Sequence, residues 1–252
     1  MPMFHSEQAK SYEQKESSFS HHEACPACQS SDALAIYTDG HGHCFSCGHY
    51  VHADSTHSGQ PTTQRRKPMS GDLVTGGTSQ ALVKRGINEE TCEKWKYQVG
   101  TYKERPVQIA NYIRDHVIVA QKLRFADKSF TFVGDAKECG LYGMHLWRDG
   151  GKMVVVTEGE LDALSVSQLQ GNKWAVVSVP NGAQGAKKAL QKNLEWLEQF
   201  ESVILMFDND SAGHEATAEC APLFTPSKCK VASLALKDAN EMLLAGRGKE
   251  VI

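Results

Sequence analysis

The sequence predicts an α/β chain, α+β overall. A small cysteine-bearing module and a linker come first, then a basic subdomain built on an antiparallel sheet, then a subdomain built on a parallel sheet. Three observations predict it. After Gly150, short β-branched apolar runs alternate with helical segments, the rhythm of strand–helix–strand units with right-handed crossovers. Between Tyr97 and Val133, four apolar runs follow one another with only short breaks, the pattern of an antiparallel meander. Near the N-terminus, four of the eight cysteines stand as two Cys-x2-Cys pairs.

The elements follow in order. Residues 1–22 are polar and aperiodic, and are expected to be a disordered tail. Residues 23–52 hold the paired cysteines, with Leu34–Tyr37 and His43–Phe45 as a hairpin around Thr38-Asp39-Gly40. Residues 53–72 are almost devoid of apolar side chains, the composition of a flexible linker. Residues 73–150 are the antiparallel subdomain. They open with expected helices at Ser79–Arg85 and Glu89–Trp95, the second with Asn88 as N-cap. Strands are expected at Tyr97–Tyr102, Val107–Arg114, Val117–Arg124 and Ser129–Val133. Residues 151–252 are the parallel subdomain. There, strands Met153–Val156, Ala175–Val179, Val203–Phe207 and Lys230–Leu234 precede helices Asp162–Gln170, Ala186–Leu197, Ala212–Pro222 and Asp238–Leu244.

The chain has 252 residues, of which 40% are hydrophobic and 23% charged. That suits one large domain or two small ones. No apolar run reaches the length of a membrane span, and the first 20 residues carry no apolar secretion-signal core. The net charge of −3 conceals an asymmetry. Residues 1–60 hold 2 Lys/Arg against 7 Asp/Glu, residues 61–128 hold 13 against 7, and residues 129–252 hold 12 against 16. The basic middle third is the expected polyanion-facing surface. The acidic last third suits a site for hard cations.

Cys25-x2-Cys28 and Cys44-x2-Cys47 are separated by 15 residues. Each pair makes a tight knuckle, and two knuckles complete a tetrahedral zinc site. An iron–sulfur site or a redox pair fits this spacing less well. About 30 residues bury too little core to fold without the metal. Cys92, Cys139, Cys220 and Cys229 are scattered and are expected to be reduced, buried small hydrophobes, which fits an intracellular setting.

Two acidic clusters end apolar runs: Glu158-Gly159-Glu160-Leu161-Asp162 and Asp208-Asn209-Asp210. Asp238 follows a further strand. In open α/β sheets, the chemistry sits at the carboxyl ends of the strands. Carboxylates converging there bind magnesium, which prefers oxygen ligands, and magnesium in a cleft suggests phosphoryl chemistry. A single Asp at such a place equally serves as a helix N-cap, a role that suits Asp162 and Asp238. Acidic residues at three strand ends together favour a metal site.

At this point the motifs become specific. Glu158-Gly159-Glu160-x-Asp162 and Asp208-x-Asp210-x-Ala212-Gly213 resemble the two motifs of the Toprim fold, shared by bacterial-type primases, topoisomerases and some nucleases. Lys237-Asp238-Ala239-Asn240-Glu241 resembles the downstream motif of its primases. Together with the cysteine pairs, Asp39-Gly40-His41, Ser79-x5-Arg85-Gly86-Ile87, Gln121-Lys122-x-Arg124 and Leu141-Tyr142-Gly143-x-His145-Leu146-Trp147, the chain resembles the primase half of the T-odd phage primase–helicase family over roughly residues 23–245.

The resemblance implies a DNA primase that condenses ribonucleoside triphosphates into short RNA primers on single-stranded DNA during replication. It implies a structural zinc held by Cys25, Cys28, Cys44 and Cys47, in a ribbon whose Asp39 and His41 help read the template. Glu158, Asp208 and Asp210 would hold two catalytic magnesium or manganese ions, with Asp162 and Asp238 as nearby metal or nucleotide contacts. Lys122 and Lys128 would be catalytic cations, and with Arg85 and Arg124 would contact nucleic acid. On charge alone, Lys122, Arg124 and Lys128 equally suit a solvated strand face. The implied partners are a replicative helicase, fused or separate, and a DNA polymerase, in a bacterial or phage-infected cytoplasm and away from membrane.

The sequence contains no G-x-x-x-x-G-K-[ST], so no helicase motor is expected in these residues. Two other readings compete. A recombination mediator also joins four cysteines to a Toprim fold, but it carries a helix-hairpin-helix for which the stretch before Cys25 is too short and polar. A Toprim nuclease remains open, whereas a topoisomerase needs a large extra domain with a tyrosine nucleophile.

Overall fold

A computed structural model describes residues 17–47, 49–51 and 72–251. The expected tail up to residue 16 and residues 53–71 of the expected linker lie outside the described residues. Two compact units divide the chain, residues 1–66 and 67–252.

The first unit is a four-stranded antiparallel sheet in the order β1 (Phe19–Glu23), β2 (Leu34–Tyr37), β3 (Gly42–Cys44) and β4 (Tyr50–Val51). Strand β1 corrects the expectation that residues up to 22 lie in a disordered tail. Its side chains are all exposed, so no apolar pattern announces it. Its order comes from the backbone ladder to β2, which pairs His22 with Ala35 and Glu23 with Leu34. The core is small: Cys25, Leu34 and Cys44 are buried, with Ala33, Ile36 and Val51 against them.

The second unit holds two sheets. Helix α1 (Glu89–Trp95) starts at Asn88, whose side chain accepts from the Thr91 amide at 2.8 Å. Strands β5 (Tyr97–Tyr102), β6 (Arg105–Arg114), β7 (Val117–Arg124) and β8 (Phe130–Gly134) form an antiparallel meander in sequence order. The expected helix at Ser79–Arg85 is corrected to a single 3-10 turn, Val83–Arg85. Upstream of it, Thr78 bridges to Val99 and Leu82 to Ile87, so sheet-like pairing outcompetes the local helical preference.

Next come β9 (Gly151–Thr157), α2 (Glu160–Leu169), β10 (Ala175–Ser178), α3 (Gly182–Lys192), α4 (Leu194–Leu197), β11 (Phe200–Met206), α5 (Ser211–Cys220), β12 (Cys229–Val231) and α6 (Ala239–Leu244). The strands are all parallel, in the order β10-β9-β11-β12. The expected single helix over 186–197 is two, broken at Asn193, whose side-chain amide turns back to the Ala189 carbonyl at 2.8 Å.

Alternation along β9 shows how the sheet is sandwiched. Val154 and Val156 enter a core with Leu190, Leu197, Phe200 and Leu205. Val155 points to the other face and joins Trp95, Tyr97, Tyr112, Tyr142, Leu164 and Met242. This second core draws on both sheets. Burying each such large side chain contributes about 1.5–3 kcal/mol, so the meander and the parallel sheet hold each other as one body. Among the described residues, no helix is long and apolar enough to cross a membrane.

Candidate active site and metal centre

In the first unit, the two knuckles bring the four cysteine sulfurs within 4.8 Å of one another. Cys25 and Cys47 Sγ are 3.6 Å apart, and Cys28 and Cys44 Sγ 3.7 Å. A tetrahedron with Zn–S of about 2.3 Å has sulfur–sulfur edges of about 3.8 Å. All four cysteines are free of disulfides, so the donor set and its geometry fit one zinc ion. In the turn between β2 and β3, His41 stacks on Tyr37 with ring centres 4.2 Å apart and rings nearly parallel, and on Tyr50 at 5.6 Å. Asp39 Oδ1 holds His41 Nδ1 at 2.6 Å.

In the second unit, strand register assembles the carboxylates. Thr157 of β9 lies beside Met206 of β11, so Glu158 and Asp208 leave neighbouring strands at nearly the same level. Glu158 Oε2 lies 3.4 Å from the Asp208 amide. Two glycines leave room for close packing at this edge. A Cβ on Gly213 would lie 2.1 Å from the Asp208 carbonyl oxygen, and one on Gly159 would lie 2.8 Å from Asp162 Oδ2. Asp238 caps α6 through the Glu241 amide at 2.7 Å. Asp162 does not take the N-cap role the sequence allowed it, because Gly159 occupies that position in α2. It sits in the first turn and accepts the Asn240 amide at 3.1 Å, bracing α2 against α6.

A cavity of about 420 Å³ opens over these strand ends, lined by Glu158, Asp162, Asp208 and Asp238 on the acidic side. Arg85, Lys122, Arg124 and Lys128 line the same cavity. Asp210 does not line it: it caps α5 through the Gly213 amide at 3.0 Å and stays partly exposed. Among the described residues only the four cysteines draw three or more ligand atoms to within 4.8 Å. The carboxylates surround a wider opening, which suits magnesium keeping part of its water shell.

Sequence reasoning missed several members of this site. Lys237 Nζ lies 3.9 Å from Asp208 and 3.8 Å from Asp210, a cation set against the acidic edge. Its place in the Lys237-Asp238 motif was the available signal. Glu160 stood in the first motif without a role. It is buried, and it pairs with Lys122 and Tyr112. Asn240 joins Arg85, 155 residues earlier in the chain, through both its oxygen and its amide. No sequence signal links that pair.

The electrostatics are those of crowded carboxylates. Burial, then the charges of Glu158 and Asp238, push Asp208 up to about 7. Burial, then the charges of Asp238 and Asp208, push Asp162 up to about 8. Unfolded carboxylates titrate near about 3.9. The folded unit therefore binds more protons than the unfolded chain between about pH 4 and 8, and stability falls as pH rises through that window. The expected result is a melting temperature in chelator that declines toward pH 8, while the gain on adding magnesium grows. A magnesium gain equally large near pH 5 would contradict the carboxylate origin of both effects.

Comparison with known proteins follows the same division. Residues 77–134 match the family model of the bacteriophage T7 DNA helicase/primase N-terminal α+β fold, and residues 155–243 match a Toprim-like family. The DNA helicase/primase of Enterobacteria phage T3 is 44% identical over an alignment of 247 positions that covers 94% of this chain but only 43% of that protein. The crystal structure of the primase fragment of the bacteriophage T7 primase–helicase is 39% identical, with a TM-score of 0.69 over 93% of this chain and 98% of that one. A second solved structure is 45% identical, with a TM-score of 0.66 over 69% of this chain and 89% of its own. It holds the primase domains of two subunits bound to an RNA/DNA hybrid and dTTP, interacting with the phage T7 lagging-strand DNA polymerase. By sequence over nearly its whole length and by fold in both halves of its larger unit, this chain belongs to the phage T7-type primase–helicase family and corresponds to the primase part.

Proposed function

We propose that the chain is a DNA-directed primase that joins ribonucleoside triphosphates into short RNA primers on single-stranded DNA. The observation that carries this is one cavity lined both by a carboxylate cluster and by Arg85, Lys122, Arg124 and Lys128. Carboxylates alone repel a template and a triphosphate. The cations attract both, and the cavity is large enough for a nucleotide.

Magnesium or manganese held by Glu158, Asp208 and Asp210, with Asp162 and Asp238 beside them, would neutralise the triphosphate and make the attacking 3′-hydroxyl more acidic. The protein's own groups position. Lys128 stands exposed at the β7–β8 turn and can follow a phosphate as a mobile point charge. Arg124 and the half-exposed Phe130 offer a charge and a ring to template phosphate and base. Lys237 sits where it can hold the acidic edge in register while the triphosphate enters.

In the ribbon, zinc on the four cysteines would hold the fold, and the Asp39–His41 pair would present a fixed ring to template bases. The relatives are fused to a helicase or seen beside a DNA polymerase, which supports both as partners here, in a cytoplasmic replication complex.

The test is incubation with labelled ribonucleotides, magnesium and random single-stranded DNA. Short RNA products are expected. Shortened DNA would indicate a nuclease, and retention of DNA without turnover a mediator; either result would replace this reading. In the same assay, Lys128→Ala is expected to lower primer synthesis while magnesium binding stays intact. If Lys128 meets template phosphate, the log–log salt slope of template binding flattens by about 0.7. If it meets the triphosphate, KM or kcat changes at constant slope. Wild-type kinetics with wild-type salt dependence would make Lys128 an ordinary solvated turn residue.

A further inference from the structure

Lys122 is not a free surface cation. Its ammonium lies 2.9 and 3.1 Å from the two oxygens of Glu160 and 2.8 Å from the Pro180 carbonyl oxygen. The Phe130 ring lies 4.6 Å away. Glu160 is itself fixed from behind by the Tyr112 hydroxyl, which donates to its Oε1 at 2.7 Å. Tyr112 is buried between the rings of Phe132 and Tyr142, on a strand of the meander. Glu160 opens α2 in the parallel-sheet half, and Pro180 follows β10. Glu160 and Pro180 thus tie Lys122 across the seam between the two sheets.

This arrangement is costly for a charge whose only task is to attract phosphate. A buried pair loses the hydration of both ions, and the carboxylate cancels most of the lysine's long-range field. What the pair provides is direction. An ammonium has three N–H donors. Glu160 and the Pro180 carbonyl hold the ammonium from the parallel-sheet half, while Lys122 and Glu160 both line the cavity, so a donor not used on them is available to a phosphate there. Burial, reinforced by the Glu160 charge, raises the Tyr112 phenol well above its ordinary range, so its hydroxyl stays a donor.

We propose that Glu160 and Tyr112 are positioning residues for Lys122: together they orient its ammonium toward the substrate phosphates, and Glu160 is not itself a metal ligand. The inference rests on the reading that Lys122 serves catalysis. It assigns the second glutamate of Glu158-Gly159-Glu160 to a different task from the first, although the two stand only two residues apart.

The experiment is a double-mutant cycle on primer synthesis by the whole chain, with Lys122→Ala, Tyr112→Phe and Glu160→Gln singly and in pairs. Removing a hydrogen bond to a charged group is expected to lower kcat/KM by roughly tenfold for Tyr112→Phe, and by more for Glu160→Gln. In the Lys122→Ala background, neither should lower it by more than about twofold, because the group they orient is gone. Melting temperatures are measured in parallel, since a merely structural role would reduce activity equally in both backgrounds.

Three results overturn parts of the argument separately. Near-normal synthesis by Lys122→Ala sinks the catalytic reading of that lysine. An impaired Lys122→Ala with unimpaired Tyr112→Phe and Glu160→Gln, or with additive losses, sinks the positioning role alone. A shift in half-saturating magnesium caused by Glu160→Gln, but not by Lys122→Ala, returns Glu160 to the metal site.

Discussion

Asp208→Asn is expected to eliminate measurable primer synthesis while leaving the protein folded. Asp208 leaves β11 at the level where Glu158 leaves β9, and it lines the cavity. Changes to outer-sphere partners of a metal site cost about 10–100-fold, so loss of a direct ligand is expected to exceed about 100-fold. Stability should move the other way. Asp208 is held up at about 7 by burial and by its acidic neighbours, so near neutral pH its charge is a source of strain in metal-free protein. The amide keeps the shape and removes the repulsion. Melting in chelator should therefore stay level or rise, and the gain from magnesium should shrink. A variant that keeps near-normal synthesis at saturating magnesium would remove Asp208 from the metal site. A variant that loses activity by unfolding would leave the melting curve to show it.

Cys44→Ser is the second large effect, and it should be confined to the first unit. Among the described residues the buried core there is Cys25, Leu34 and Cys44, so two of these are also candidate zinc donors. Zinc in small modules contributes on the order of 10–16 kcal/mol, more than such a core can replace. The variant should lose zinc by elemental analysis and lose the sheet of residues 19–51. Among the described residues, the hydrophobic cores of the second unit draw on none before Leu73, so its melting transition should stay in place. Primer synthesis at natural template sites should fall while magnesium binding by the second unit continues. Natively prepared protein without zinc, or a downward shift of the second unit's transition, would contradict this account.

Much of this was legible in the sequence because local chemistry is decisive there. Cys-x2-Cys can form a knuckle whatever surrounds it, and its spacing alone states a metal site. A run such as Met153–Val156 has little alternative to a buried strand, and Glu158 stands one residue beyond the end of that strand, at Thr157. Asn88 and Asp238 were legible as caps because a cap is a contact within four residues. The expected helix at Ser79–Arg85 failed partly for the opposite reason: Thr78, just before it, pairs with distant Val99, while Leu82 turns back tightly onto Ile87.

The sequence by itself thus determined the fold class, the alternation of strand and helix after Gly150, the clustering of the four sulfurs and which carboxylates stand just beyond strand ends, since each depends mainly on local pattern. Only the tertiary structure decided what each carboxylate does. Glu158 and Glu160 differ by two positions and both line the cavity, yet one meets the Asp208 amide and the other is engaged by Lys122 and Tyr112. Asp162 likewise braces α6 rather than capping its own helix, and Asp210 caps α5 through one carboxylate oxygen. Those roles follow from strand register and from the packing of one sheet against the other. These bring together groups separated by 38 residues for Lys122 and Glu160, and by 155 for Arg85 and Asn240. A pattern read along the chain has no access to distances of that kind, because they arise only when the shared core closes.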